Sequence, residues 1–394
     1  MKILFIIPWF LPNKGGAEIG AYEMARELVH RGHEVLVVSL KYRRDWADRE
    51  EIDGVQIVRL PTFSIPFMTR LTELIHSLTP FFSLRRIIEN FKPDLIHLHY
   101  VLFTGHAGMY FAKKLNIPTV LTLVGSDIYD PQYCPGAFLY PWNKDVIHKA
   151  DQVVAACPFI SDQLKSRFDY TEGHLQIIPY GVNPDKFKPH HSSELTRSRF
   201  KLPAKNPMIL SVHRLHPRKG VRFLIDAAEE VIRSHPTAMF VIVGDGPERD
   251  SLEYYCRSRN LSGNVIFTGK ISFDSLTDLY HASDLFVLHS YHEGFGIVLL
   301  EAMACSKAVV STKTGGTETI IDEGKTGFLV PPASPRPMAE AINRLLADPS
   351  LRRAMGQNGY DRVHTHFRWT HIMDRYMDVY QTAITRHHAA HVTP

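Results

Sequence analysis

The sequence predicts an α/β protein built from two doubly wound, Rossmann-like parallel-sheet domains facing each other across a cleft. Short β-branched runs alternate with longer amphipathic stretches along the whole chain, the pattern of parallel sheets covered by helices on both faces. The alternation restarts at residue 208, behind a polar stretch containing Pro and His. The length, 394 residues, suits two or three domains at roughly 100 to 200 residues each, and the single restart favours two.

In the first half, strands are expected at KILFII (2–7), EVLVVS (34–39), VQIVRL (55–60), DLIHLH (94–99), PTVLTL (118–123) and QVVAA (152–156). From Ala17 to Arg31 apolar residues fall at helical spacing, and Gly32 is a natural helix stop. Pro179 to Pro207 reads as a connection plus a peripheral helix, which sets the domain boundary near 180–205. In the second half, strands are expected at MILSVH (208–213), MFVIVG (239–244), VIFTG (265–269), DLFVLHS (284–290) and AVVST (308–312). The closing RHHAAHVTP (386–394) reads as a frayed terminus.

Composition narrows the function. Hydrophobic residues make up 44% and charged residues 22%, the mixture of an ordinary soluble globular protein. Lys and Arg number 45 against 41 Asp and Glu, a net +4, which is too small to make nucleic acid the main partner. Any anion site is therefore local. Cys134, Cys157, Cys256 and Cys305 are scattered without zinc or redox spacing, which fits a reducing cytosol. ILFIIPWFL (3–11) is interrupted by Pro8 and lacks a small-residue cleavage site, so it reads as a buried strand rather than a targeting segment. No run of 18 apolar residues implies a spanning helix. His97 and His99 share one strand face; with no third ligand nearby, cleft-lining or structural histidines are expected rather than a metal site. Residues 63–91, mixing aromatics and arginines, read as core helices plus a loop, with a membrane-surface or lipid-acceptor face as the alternative.

Ligands of open α/β sheets bind at the carboxyl ends of the strands, so the chemistry is sought in those loops. After the first strand, Gly15 and Gly16 immediately precede a helix, where bare N–H groups and the helix dipole suit a phosphate; a tight turn is the alternative. After MILSVH, Arg214 to Gly220 concentrates cations, including Arg214 and Lys219, for which a diphosphate is the natural counter-ion and a solvated basic loop the alternative. After DLFVLHS, Glu293 and Glu301 are separated by seven residues. Gly294, Phe295 and Gly296 follow Glu293, and the glycines expose N–H groups at a helix start. Carboxylates accept from sugar hydroxyls while N–H groups donate to phosphate. The alternative for Glu301 is a buried, capped carboxylate.

SYHEGFGIVLLEAMACSKAVVSTKTGGTETIIDEGKTGFLVPP resembles the donor-site signature of the family 4 retaining glycosyltransferases. KGGAE, IIPYGVNPDKFKP, ILSVHRLHPRKGVRFLIDA and FVIVGDGPERDSLE extend the resemblance in the family's order. It implies the GT-B fold, with residues 1–180 as acceptor domain, a C-terminal helix of about 369–385 packing back on it, and residues 181–368 as donor domain. It also implies a nucleotide-diphosphate sugar as co-substrate, with no other cofactor and no metal. Arg214 and Lys219 would hold the diphosphate, Glu293 the donor sugar, Gly294 to Gly296 sugar and phosphate through backbone, and Glu301 the ribose. Gly15 and Gly16 would approach the phosphate from the first domain. The absence of an Asp-x-Asp triplet agrees with leaving-group stabilisation by side-chain cations.

Two departures stand out. Val124 occupies the place where the family commonly has a histidine, which leaves Asp127 as the expected polar contact there. Ser306 and Ala308 replace the more usual glycine and proline, expected to be tolerated packing changes. The resulting expectation is a cytoplasmic retaining hexosyltransferase, with the inner membrane face as an alternative location. It would use a UDP- or GDP-linked sugar and a glycan, lipid-linked or small-molecule acceptor. A catalytically silent sugar-nucleotide binder of the same fold is the alternative.

Overall fold

The computed structural model describes residues 1–13, 15–62, 75–76, 78–102, 104–129, 137–171, 173–188 and 191–392. Cys134 and residues 63–74 of the aromatic stretch lie outside them. The chain divides into two compact units, Met1–Tyr180 with Trp369–Pro394, and Gly181–Arg368.

The sheet of the first unit contains β1 (Lys2–Ile6), β2 (Glu34–Lys41), β3 (Arg49–Ile52), β4 (Val55–Pro61), β5 (Leu95–His99), β6 (Thr119–Leu123), β7 (Gln152–Ala155) and β8 (Leu175–Ile177), in the order β3-β4-β2-β1-β5-β6-β7-β8. Every pairing is parallel except β3 on β4. Strands β5 and β6 are buried at every residue, as parallel strands covered on both faces must be, which is why they read as continuous apolar runs. The two edge strands were not expected. Arg-Glu-Glu-Ile at β3 carries too many charges, and the three residues of β8 are too few, to show a period.

The expected frayed terminus is corrected by the structure: the closing helix runs Trp369–Val392. Ile372, Met373, Tyr376, Tyr380, Ala383 and His387 are buried along one face at helical spacing. His387 stands where an apolar residue would be expected, so the sequence pattern breaks off while the helix continues. Its ring is held by Asp151 Oδ1 at 3.2 Å and Asn116 Oδ1 at 3.0 Å.

The second unit contains β9 (Met208–Val212), β10 (Met239–Val243), β11 (Val265–Gly269), β12 (Leu285–Leu288), β13 (Ala308–Thr312) and β14 (Gly327–Val330), all parallel, in the order β11-β10-β9-β12-β13-β14. Its core joins Leu224, Ile225, Ala228, Phe240, Val287 and Ile342 with their neighbours. Strand order reverses between β1 and β5 in one sheet and between β9 and β12 in the other. Such reversals open a crevice outside the strand ends. Ser306 corrects a further expectation: it is exposed and has φ +56°. The usual glycine there answers a left-handed backbone rather than a packing demand.

Candidate active site

At the β9/β12 reversal the loops following the two strands are tied together. The chain leaving β9 turns through a single 3-10 turn at Pro217–Lys219, and Tyr291 N, just past β12, donates to Arg218 O at 2.9 Å. This brings Lys219 Nζ to 2.6 Å from Glu293 Oε2. Ser290 Oγ donates to the same oxygen at 3.1 Å. Both members of the ion pair remain partly accessible, at 20% and 15% of their side-chain surface. Arg214, on the same loop, is exposed. A lysine, a carboxylate and a hydroxyl thus meet at the mouth of the crevice.

Gly296 has φ +96° and stands at the N-terminus of the helix Ile297–Ala304, a conformation that an L side chain resists. The turn at Gly315–Gly316 lies directly against this segment. Glu293 forms an isolated parallel bridge with Gly315, and a Cβ on Gly316 would come 2.3 Å from Gly294 O. Thr312 Oγ1 donates to Ser290 O at 2.7 Å, fixing the same corner. Sequence reasoning passed over Ser290, Gly315 and Gly316 as separate contributors. The available signal was a second glycine pair between a strand and a helix, the shape it had recognised at Gly15–Gly16. Phe295 is 4% exposed and its ring lies 6.5 Å from that of Phe367, so what it offers a ligand is backbone.

Glu301 lies on the helix Ile297–Ala304 and is buried. Tyr280 Oη donates to its Oε2 at 2.8 Å, the buried, capped carboxylate that the sequence had set against a ribose contact. Burial pushes the Glu301 carboxyl up to about 7, with the tyrosine bond pulling the other way. Beneath the basic loop, His289 Nε2 lies 3.1 Å from both His213 Nε2 and Ser211 Oγ. Burial holds both imidazoles below the usual histidine range, His289 at about 4, so they are neutral beside the Lys219 loop.

In the first unit, Gly15 stands just before the helix Gly16–His30, which Gly16 opens, at the carboxyl end of β1. Asp127 is not a polar contact held out toward a ligand. It is fully buried, accepting from Gly125 N at 2.9 Å, Val124 N at 3.2 Å and Val101 N at 3.4 Å. Its carboxylate thereby ties the loop after β6 to that after β5. Burial raises it to about 6 against those backbone bonds. Val124 contributes its N–H to this knot. His97 is bonded through both ring nitrogens, to Tyr380 Oη at 2.7 Å and Thr122 Oγ1 at 2.8 Å, which leaves neither for a metal. His99 stacks on it at 4.2 Å. Among the described residues no three His, Cys, Asp or Glu side chains gather as a metal site.

The family model described as Glycosyltransferase Family 4 matches residues 14–186, and that described as Glycosyl transferases group 1 matches residues 192–362. An uncharacterized glycosyltransferase of Methanocaldococcus jannaschii is 30% identical to this chain, over 98% of the chain and 99% of its own length. The chain belongs to glycosyltransferase family 4. A D-inositol 3-phosphate glycosyltransferase of Acidothermus cellulolyticus is 28% identical to this glycosyltransferase, covering 96% of it and 88% of the relative. Sucrose-phosphate synthase from Thermosynechococcus elongatus matches the glycosyltransferase at a TM-score of 0.84 and 26% identity, over 98% of one chain and 99% of the other. The two parallel-sheet units are those of the GT-B class, as the resemblance implied.

Proposed function

We propose that this glycosyltransferase is a retaining, metal-independent hexosyltransferase of the cytoplasm, taking the hexose from a UDP- or GDP-linked donor to a glycan, glycolipid or small-molecule acceptor. The observation that carries the reading is the Lys219–Glu293 pair at the β9/β12 reversal, beside the glycine-opened helix Ile297–Ala304. The second unit takes the donor. Lys219 and Arg214 supply the positive charge that a departing diphosphate needs, and the N–H groups of Gly294 to Gly296 add fixed dipoles. Glu293 then accepts from sugar hydroxyls and holds the ring in place, while Glu301, whose Oε2 is held by Tyr280, accepts from the ribose through its other carboxylate oxygen. The first unit takes the acceptor, near Gly15 and Gly16. The acceptor attacks the face from which the diphosphate leaves, and a departing phosphate oxygen takes its proton. No side-chain base is then required, which suits a carboxylate at Asp127 that is wholly spent on backbone.

The test is acceptor-dependent release of nucleoside diphosphate from UDP- and GDP-hexoses, with the anomeric configuration of the product read by NMR and the assay repeated in excess chelator. Transfer with an α-linked product from an α-linked donor, undiminished by chelator, is expected. Inversion, or loss of activity restored by magnesium or manganese, would overturn the mechanism. Donor binding without turnover across a broad acceptor panel would favour the silent binder that Val124 raises.

A further inference from the structure

The exposed large hydrophobic side chains of the described residues are not scattered evenly. Leu78, Phe82, Tyr110, Phe138 and Trp142 all stand exposed in one region of the first unit, Phe82 at 89%. Phe81 packs 5.3 Å from Tyr110, and Phe138 packs 5.9 Å from Trp142. Between them runs a groove of about 530 Å³, whose lining includes Leu78, Phe81, Tyr110 and Trp142 together with Lys113, Lys149 and Asp145. Lys114 Nζ lies 5.7 Å over the Tyr110 ring.

Cations outnumber carboxylates around this patch. The helices Leu84–Phe91, Thr104–Lys114 and Tyr140–Lys149 carry six cations (Arg85, Arg86, Lys113, Lys114, Lys144, Lys149) against two carboxylates, Glu89 and Asp145. Asp151 and Asp169, which pair with Lys113 and Lys144, reduce the local surplus from four to two. Lys149, Lys144 and Arg85 pair with Asp145, Asp169 and Glu89 at exposed positions, where ion pairs are weak and exchange readily, whereas the Asp151 partner of Lys113 is largely buried.

We propose that this face docks on the anionic surface of a lipid bilayer. Trp and Tyr present an apolar ring with a polar tip, and lysines lay an apolar stem along the surface with the charge at its end, which suits the boundary between acyl chains and headgroups. The interleaving of cations with the rings argues for this occupant over a protein partner, whose contact would be depleted of lysine at its centre. The docking needs no donor or acceptor, so it stands or falls separately from the transfer reaction.

Cosedimentation of the full chain with vesicles of phosphatidylcholine alone, or with added phosphatidylglycerol, tests it. Binding is expected only to the anionic vesicles and should weaken with salt. Lys113→Gln with Lys114→Gln should weaken it roughly 30-fold, the order expected for removing two basic residues from an anionic surface. Brominated acyl chains should quench the wild-type tryptophan fluorescence and fail to quench Trp142→Phe to the same extent. Thermal unfolding of each variant reports whether it is folded, and Phe82→Ser, at the most exposed position, provides an independent weakened variant. Equal binding to both vesicle types, equal quenching of Trp142→Phe, or a solution dimer that Trp142→Ser dissociates, assigning the face to a second copy, would each overturn the proposal.

Discussion

Lys219 and Glu293 meet at 2.6 Å although 74 positions separate them in the chain. The pair holds each side chain in place; on the proposed reading, in which Lys219 takes the donor's diphosphate, that diphosphate has to compete with Glu293 for the ammonium group.

The two roles should therefore separate on substitution. Glu293→Gln should lower kcat by about 10²-fold through loss of sugar positioning. It should also tighten nucleoside diphosphate binding a few-fold, because Lys219 no longer has a carboxylate partner. Lys219→Ala should weaken diphosphate binding and cost about 10²-fold or more in kcat. Steady-state kinetics with calorimetry of diphosphate binding checks both; weaker diphosphate binding in Glu293→Gln would contradict the competition.

Glu301 gives a pH dependence whose sign follows from its burial. The folded protein keeps this carboxyl protonated up to about 7, whereas its ordinary value is 4.5. Stability from this group is thus full below pH 4.5 and lost as pH rises through 7, by about 3 kcal/mol. Urea unfolding should show Glu301→Gln gaining on the wild type across that window and holding a constant margin above it. Parallel stability curves would refute the assignment. Donor affinity should run the other way, falling as pH drops below 7, because a protonated Glu301 accepts ribose hydroxyls poorly.

The end of the chain should prove structural. His387→Ala removes a buried ring bonded to Asp151 and Asn116 and should cost about 2 kcal/mol. His388→Ala, on the exposed side of the same helix, should stay within about 0.5 kcal/mol. Equal, negligible effects in denaturant titrations would return this segment to a frayed state.

Ser306→Gly should stabilise the protein by about 0.5 kcal/mol. Glycine relieves left-handed strain of roughly 1 to 2 kcal/mol but brings back a larger unfolded-state entropy. A lower midpoint of unfolding would show that the serine side chain contributes something the structure does not reveal.

Val124→His should change donor or acceptor preference more than the maximal rate with the best native pair, since the proposed mechanism takes its proton on phosphate. Competition assays across donors and acceptors decide this; a large gain in rate with unchanged preference would mean the imidazole acts as a base.

The sequence by itself determined the class of fold, most of the strands, and the residues that carry charge and glycine at strand ends. Those features are local: periodicity reports burial within one element, and a glycine before a helix reports its own backbone. What the tertiary structure decided is everything that depends on which strands are neighbours. Lys219 reaches Glu293 because β12 pairs with β9, a reversal of strand order that no local pattern encodes. Asp127 turned inward for the same kind of reason. Its acidity suited a ligand, but three backbone N–H groups, one of them from the loop after β5, already occupy it. Tyr280 and His387 likewise acquired their roles only from partners distant in the chain. Hydrogen-bonding demand is visible in a side chain's chemistry, whereas the partner that satisfies it is set by packing.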